Sequence, residues 1–128
     1  MISDAQFQWI RKPSHPFIVV EGVNSTRVDL VWTFNETEDK IMLVSIFRRD
    51  LDAENPTAIA VRIGEANFTL QDENLRSKYN PRLPATLQLL DVKNVEDYQY
   101  TITVTYKGAR NFAMHVSDTV LVDVKGEE

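Results

Sequence analysis

Short runs in which apolar and polar residues alternate recur along the whole chain. Alternation with a period of two is typical of β-strands that bury one face, because successive side chains point to opposite sides of a strand. Turn-forming pairs such as Asn55-Pro56 and Asn80-Pro81 separate these runs. The predicted strands are residues 17–20, 28–33, 41–49, 58–63, 67–70, 86–92, 98–106 and 119–124.

Helix is only weakly indicated by the sequence. The best helical window, residues 72–79, is short and runs into Asn80-Pro81, which disfavours a helix. Strands without helices predict an all-β antiparallel sandwich of about eight or nine strands. The 128 residues suffice for one such domain with a continuous core. We therefore predict a single domain over residues 1–128, with an N-terminal arm over residues 1–16, excised from a larger protein.

The composition excludes several classes of function. The chain has no cysteine, which excludes disulfides, iron–sulfur clusters and thiolate zinc sites. Its net charge of −5 argues against a nucleic-acid partner, which would require a basic surface. No segment approaches the roughly 20 apolar residues of a membrane span. With four glycines, a backbone cradle for phosphate is not expected either.

The segment from residue 87 to residue 102 carries a family resemblance. Leu87, Leu89 and Val92 are alternating apolar residues before an acidic turn at Glu96, and Tyr100 follows that turn. This passage resembles the E–F region of variable-type immunoglobulin domains. The resemblance implies an immunoglobulin-like β-sandwich over about residues 17–124. It also implies that Tyr100 is a tyrosine corner, whose hydroxyl bonds to the backbone near Glu96 or further upstream.

The same alignment shows where the chain departs from that family. Trp32 stands at the first cysteine position, Ile102 at the second, and Ile46 replaces the usual tryptophan of strand C. These changes agree with one another, because a single indole on strand B could pack between the two isoleucines. Trp32 as a core aromatic of some other sandwich is the alternative. The cysteine-free pattern is similar to the membrane-distal domains of invertebrate allorecognition-type cell-surface receptors.

Asn24, Asn35 and Asn67 each begin an Asn-x-Ser/Thr sequon, the acceptor pattern for N-glycosylation. Ordinary serine and threonine usage would give about one sequon among eight asparagines. Three sequons favour a secreted or cell-surface glycoprotein, with coincidence as the alternative. We expect all three asparagines to be exposed, since a glycan cannot be attached to a buried amide.

No catalytic site and no cofactor are predicted, so the chain is not expected to be an enzyme. The two histidines, His15 and His115, have no second metal ligand at a useful spacing. Asp50, Asp52 and Glu54 alternate in one loop and could offer a few oxygens to calcium, which requires six to eight. A charged loop that serves solubility alone is the alternative interpretation.

The resemblance implies recognition of another protein, which can be a second copy of the chain, through the face made by strands C, C′, F and G. If Ile46 points inward, then Ser45, Phe47 and Arg49 point outward. Aromatic, arginine and methionine side chains are enriched at interfaces. The predicted interface residues are Phe47, Arg49, Thr103, Thr105, Tyr106, Arg110, Phe112 and Met114. A calcium-dependent, carbohydrate-binding or lipid-binding sandwich is the alternative.

Overall fold

The computed structural model describes residues 7–13, 17–20, 27–35, 40–90, 98–108, 110 and 112–124. Within these residues it contains eleven β-strands and one short 3₁₀ helix, Glu73–Ser77. The strands are β1 Trp9–Arg11, β2 Phe17–Val20, β3 Val28–Val31, β4 Thr33–Phe34, β5 Lys40–Asp50, β6 Thr57–Ile63, β7 Thr69–Leu70, β8 Tyr79–Arg82, β9 Thr86–Leu89, β10 Tyr98–Lys107 and β11 Ala113–Val124.

The strands form two principal sheets. The larger sheet has the order β2-β11-β10-β5-β6-β7, and the smaller has the order β3-β9-β8. A short ribbon pairs β1 with β4, which follows β3 directly after Trp32. All pairings are antiparallel except that of β2 with β11, which is parallel. In the larger sheet, β6 and β7 extend the sheet beyond β5. Two such added strands are the variable-type immunoglobulin arrangement, so the predicted fold class is confirmed.

The core lies between the two sheets and follows the alternation of the strands. On β10, Tyr100, Ile102 and Val104 are fully buried, and the threonines between them are not. The same cluster receives Trp32 and Ile46, so the three residues aligned with the usual cysteine–tryptophan pin all belong to one buried group. Fully buried, well-packed side chains of this kind supply most of the favourable free energy of folding.

Three elements differ from the sequence prediction. The predicted arm contains β1, and the predicted turn at Asn80-Pro81 lies inside β8. Proline is tolerated there because β8 is an edge strand of the smaller sheet. Strand β11 begins at Ala113 rather than at residue 119, because it pairs with β10 over the full length of a long hairpin. Ser117 and Asp118, which precede the predicted strand 119–124, therefore belong to β11.

A buried hydrogen bond joins the two sheets at Trp32. Its indole Nε1 donates to Oδ2 of Asp118 on β11 at 2.9 Å. Asp118 is 7% exposed, and its other oxygen lies 3.5 Å from the Nζ atom of Lys12. The indole thus has a specific acceptor on the opposite sheet, in a sandwich that has no disulfide.

A second polar link crosses the core at Tyr79 of the smaller sheet. The Tyr79 hydroxyl lies 3.0 Å from the Tyr100 hydroxyl and accepts a hydrogen bond of 3.1 Å from Nη1 of Arg48. The Arg48 guanidinium also lies 5.7 Å from the Tyr79 ring centre, within range of a cation–π contact. The predicted backbone acceptor of Tyr100, near Glu96, falls outside the described residues.

A third polar link is made by Arg62 of β6, which is only 2% exposed. Its Nε donates to the carbonyl of Gly64 at 2.8 Å, and its Nη1 donates to the carbonyl of Pro84 at 2.7 Å. Pro84 lies in the turn between β8 and β9 of the smaller sheet. The charge of Arg62 therefore serves to hold that turn rather than to face solvent.

We expect the Tyr100→Phe variant to lose about 0.5–1.5 kcal/mol of unfolding free energy, because one buried hydrogen bond is removed. Urea denaturation followed by fluorescence measures this loss. Tyr79→Phe is the companion variant, because it removes the other hydroxyl of the same pair together with the bond from Arg48. An unchanged midpoint for Tyr100→Phe would contradict a structural role for its hydroxyl.

Candidate functional site

The four central strands of the larger sheet form one continuous outward surface. On β10, Ile102 and Val104 are buried, so Thr101, Thr103 and Thr105 point outward. The strand registers extend these three positions across β11, β5 and β6. We call the resulting set of residues the outer face: Ala58, Val61 and Ile63 on β6; Leu43, Ser45 and Phe47 on β5; Thr101, Thr103 and Thr105 on β10; His115, Ser117 and Thr119 on β11.

One half of the outer face is a ladder of polar side chains on β10 and β11. Three cross-strand hydrogen bonds of 3.0 Å join the side chains of Thr101 and Thr119, Thr103 and Ser117, and Thr105 and His115. Cross-strand pairs of this kind stabilise a sheet and fix the rotamers of their members. This half therefore presents a surface of polar side chains that are joined to one another across the two strands.

The other half of the outer face is mainly apolar. Phe47, Leu43 and Val61 are half-buried, and Ile63 is 71% exposed. Ser45, which the alternation also places outward, is only 8% exposed. It lies between Val61 and Thr103 in the register. The apolar half is thus continuous across β5 and β6.

The outer face carries no formal charge. At the chain's charged fraction of 26%, twelve positions would hold about three Asp, Glu, Lys or Arg residues, and these hold none. The nearest cation on β5 is Arg49, at the margin of the face. Arg49 is held by the side-chain oxygen of Gln99 at 3.0 Å and by the carbonyl of Ala53 at 2.8 Å. The depletion of charge on a sheet surface that is open to solvent distinguishes this part of the molecule.

The β10–β11 turn adds an exposed tip beside the outer face. Phe112 is 64% exposed and Met114 is 46% exposed. The amide of Gly108 donates to the carbonyl of Phe112 at 2.8 Å, and Arg110 has a φ of 60°. Arg110 and Phe112 are exposed at the end of the hairpin, while Met114 pairs with Tyr106 and so lies on the side of β11 opposite to His115.

Tyr106 was predicted to be part of the interface, and the structure places it elsewhere. It is 8% exposed and stacks on Phe7, with 5.2 Å between ring centres. The physical reason is strand alternation, because Tyr106 shares the inward side of β10 with Val104. Of the predicted residues, Phe47, Thr103 and Thr105 lie on the outer face, Arg49 lies at its margin, and Arg110, Phe112 and Met114 lie at the tip.

Leu43, Val61 and Ile63 were missed by the sequence prediction. Leu43 could have been predicted, because it lies four residues before Phe47 on β5 and therefore on the same side of the strand. Val61 and Ile63 required the register of β6 against β5, which has an irregularity between Ile46 and Phe47. Such irregularities shift the side chains that follow them, and the alternation of a single strand does not reveal them.

The three sequons differ in their surroundings. Asn67 is exposed, whereas Asn35 is half-buried and its Oδ1 accepts a hydrogen bond of 2.9 Å from the amide of Gln8. The expectation that all three are exposed is thus wrong for Asn35, because the β1 region packs against it. Asn24 lies outside the described residues.

The acidic loop after β5 forms a local turn. Oδ1 of Asp50 accepts the amide of Asp52 at 3.0 Å, as in an Asx turn, and Asp52 and Glu54 are exposed. Across the described residues, no three His, Cys, Asp or Glu side chains come together in a way that could hold a metal ion. His115 bonds to Thr105, and His15 falls outside the described part of the chain. No helix among the described residues is long and apolar enough to span a membrane.

Comparison with known proteins supports the fold. No protein-family model matches the sequence, and no curated protein matches it either. Among solved structures, murine CRIg is similar with a TM-score of 0.73 and 13% identity, over 94% of this chain and 99% of that chain. A chain from a structure titled as the basis of T cell specificity and activation by the bacterial superantigen toxic shock syndrome toxin-1 has a TM-score of 0.65 and 10% identity. That similarity covers 94% of this chain and 98% of the other.

Proposed function

We propose that this chain is an extracellular recognition domain that binds another protein through the outer face. The observation that carries the proposal is the absence of charge from twelve adjacent positions on a chain with 26% charged residues. Interface cores are depleted of charged residues in the same way, because a charge that is buried against a partner loses its hydration. A single exposed apolar residue would need no explanation, but a continuous patch does.

The extracellular assignment is supported by the sequons and by the type of sandwich. Many cell-surface domains share this architecture, which presents a sheet face and loops on a rigid frame. A fold alone hosts many functions, so the outer face rather than the fold carries the argument for binding. We place the domain in the ectodomain of a membrane protein or in a secreted protein. The similarity to invertebrate allorecognition-type receptors stays a prediction.

The chemistry of the face defines the partner that it fits. A complementary surface would be apolar opposite Phe47 and Ile63 and would offer small polar groups opposite the threonine ladder. A second copy of the chain meets both requirements. Although each copy carries a net charge of −5, the face itself is neutral and brings no like charges into contact. The exposed tip residue Phe112 extends the contact at one end.

We expect Phe47→Glu and Ile63→Glu each to abolish association, because a carboxylate would be buried against the partner without a counter-charge. The readouts are sedimentation of the purified domain over a range of concentrations and aggregation of beads that carry it. Ile63 is 71% exposed, so its replacement leaves the fold intact even if Phe47→Glu perturbs β5.

Ile10→Glu is the matched control, since Ile10 is 66% exposed on β1, away from the outer face. It adds the same charge to the same type of residue and should leave association unchanged. Association that persists in Ile63→Glu, or that is lost equally in Ile10→Glu, would show that the outer face is not the binding surface.

A further inference from the structure

The sequon at Asn67 is not part of the outer face, and a pocket lies beside it. The pocket has a volume of about 300 Å³. It is lined by Asn67, Phe68, Asn80, Pro81, Arg82 and Leu83. We propose that Asn67 carries an N-linked glycan whose first N-acetylglucosamine lies in this pocket. The proposal rests on the extracellular location stated above.

The position of Asn67 suits attachment. Its side chain is exposed, and Thr69, the hydroxyl residue of the sequon, is exposed at the start of β7. Asn35, by contrast, is half-buried with its side-chain oxygen bonded to the amide of Gln8. Among the sequons of the described residues, Asn67 therefore has the better access to a transferase.

Attachment of the glycan is a transfer of an oligosaccharide to the side-chain amide of Asn67. A bond forms between Nδ2 of Asn67 and the anomeric carbon of the sugar, and the amide nitrogen loses one proton. The oligosaccharide comes from a lipid-linked diphosphate donor of the secretory pathway, and the lipid diphosphate is the leaving group. No residue of this chain takes part beyond supplying the Asn-x-Thr acceptor.

The lining of the pocket suits one sugar ring. Phe68 and Pro81 are half-buried and Leu83 is 46% exposed, which gives an apolar wall for the acetyl methyl group and the less polar face of the ring. Arg82 supplies a guanidinium group for the hydroxyls, and Asn80, whose Nδ2 donates to Oε1 of Gln88 at 2.8 Å, supplies its amide oxygen. The accessible lining is more polar than apolar, which suits the hydroxyls of a sugar, and about 300 Å³ is the lower end of the usual size range of ligand pockets.

The pocket also lies where both sheets end. β7 is the edge strand of the larger sheet, and β8 is the edge strand of the smaller sheet. Unpaired strand edges invite pairing with other chains, and proteins commonly cover them. A sugar between β7 and β8 would cover both edges at once. The sugar would lie at the margin of the outer face, because β7 is the direct neighbour of β6.

The test uses the chain secreted from a eukaryotic host. We expect glycopeptide mass spectrometry to show the Asn67 peptide mostly occupied in the parent and in Thr69→Ser, and unoccupied in Asn67→Gln and Thr69→Ala. Asn35→Gln is the control that leaves occupancy at Asn67 unchanged. An unmodified Asn67 peptide in the secreted parent would overturn the proposal.

A second measurement tests the location of the sugar. An endoglycosidase that leaves one N-acetylglucosamine should preserve a Tm about 2–4 °C above that of Asn67→Gln. In Leu83→Ser, which removes part of the apolar wall, that difference should disappear while occupancy is retained. If the trimmed protein has the same Tm as Asn67→Gln, the sugar does not occupy the pocket. Glycan occupancy and Tm are both measured without a binding partner. Failure of the glycan proposal can therefore be distinguished from failure of the proposed binding through the outer face.

Discussion

We expect the Trp32→Ala variant to lose about 3–5 kcal/mol of unfolding free energy, as large-to-small replacements of buried aromatic residues do. Trp32 is fully buried, and alanine would leave a cavity between the sheets. It would also leave the buried carboxylate of Asp118 without its indole donor. Domains are stable by only about 5–15 kcal/mol, so this loss is a large fraction of the total stability. Chemical denaturation of the purified variant measures the loss.

Trp9→Ala is the matched control for that experiment. Trp9 is half-buried and packs edge-on against Phe7 and Phe34 at the margin of the core. The same change in side-chain size should therefore cost less there than at Trp32. A loss at Trp32 no greater than the loss at Trp9 would contradict the role of Trp32 between the sheets.

The second large effect is expected at Asp118. Asp118→Ala should cost about 1–3 kcal/mol, because the indole N–H of Trp32 would be buried without this acceptor. Lys12→Met separates the ion pair from the hydrogen bond. Lys12 is 38% exposed, and partly exposed ion pairs contribute only about 0–1 kcal/mol. Denaturant midpoints of the two variants give the comparison.

A double-mutant cycle tests whether Trp32 and Asp118 act together. Trp32→Phe keeps a large ring and removes the N–H donor, so the cost of Asp118→Ala should be smaller in that background than in the parent. Costs that simply add would show that the two residues are independent, despite the 2.9 Å between their atoms.

Much of the larger sheet could be predicted from the sequence. Residues 98–106 were predicted as a strand and β10 is Tyr98–Lys107, while residues 41–49 were predicted and β5 is Lys40–Asp50. Both strands have one buried face, so their side chains alternate strongly and the pattern is unambiguous. The family resemblance, rather than alternation, placed Trp32, Ile46 and Ile102 in the core, and all three are fully buried.

The polar links between the sheets could not be predicted from the sequence. Arg62 and Asp118 look like surface charges in the sequence, but each finds its partner on the other side of the core. Trp32 and Asp118 are 86 positions apart along the chain. Whether such a charge is buried depends on a partner that only the fold brings near, and no local pattern carries that information. β1 and β8 were missed for a similar reason, since their short runs become strands only by pairing with β4 and β9.

The hydrogen bond between Trp32 and Asp118 acts on the folded protein, whereas a covalent cross-link acts mainly on the unfolded chain. A disulfide between two positions as far apart as Trp32 and Asp118, which are separated by 86 positions, would lower the conformational entropy of the unfolded chain. In the chain-entropy model this effect is worth about 4–5 kcal/mol. The hydrogen bond leaves the unfolded chain unrestrained and stabilises only the folded state.

All of the stability of this sandwich must therefore come from native packing and polar contacts. No disulfide keeps part of the unfolded chain compact. Unfolding therefore exposes more surface to solvent than it would in a cross-linked chain of the same length. The dependence of stability on denaturant concentration rises with that surface. This domain should consequently unfold over a narrower range of denaturant than a cross-linked sandwich of the same length.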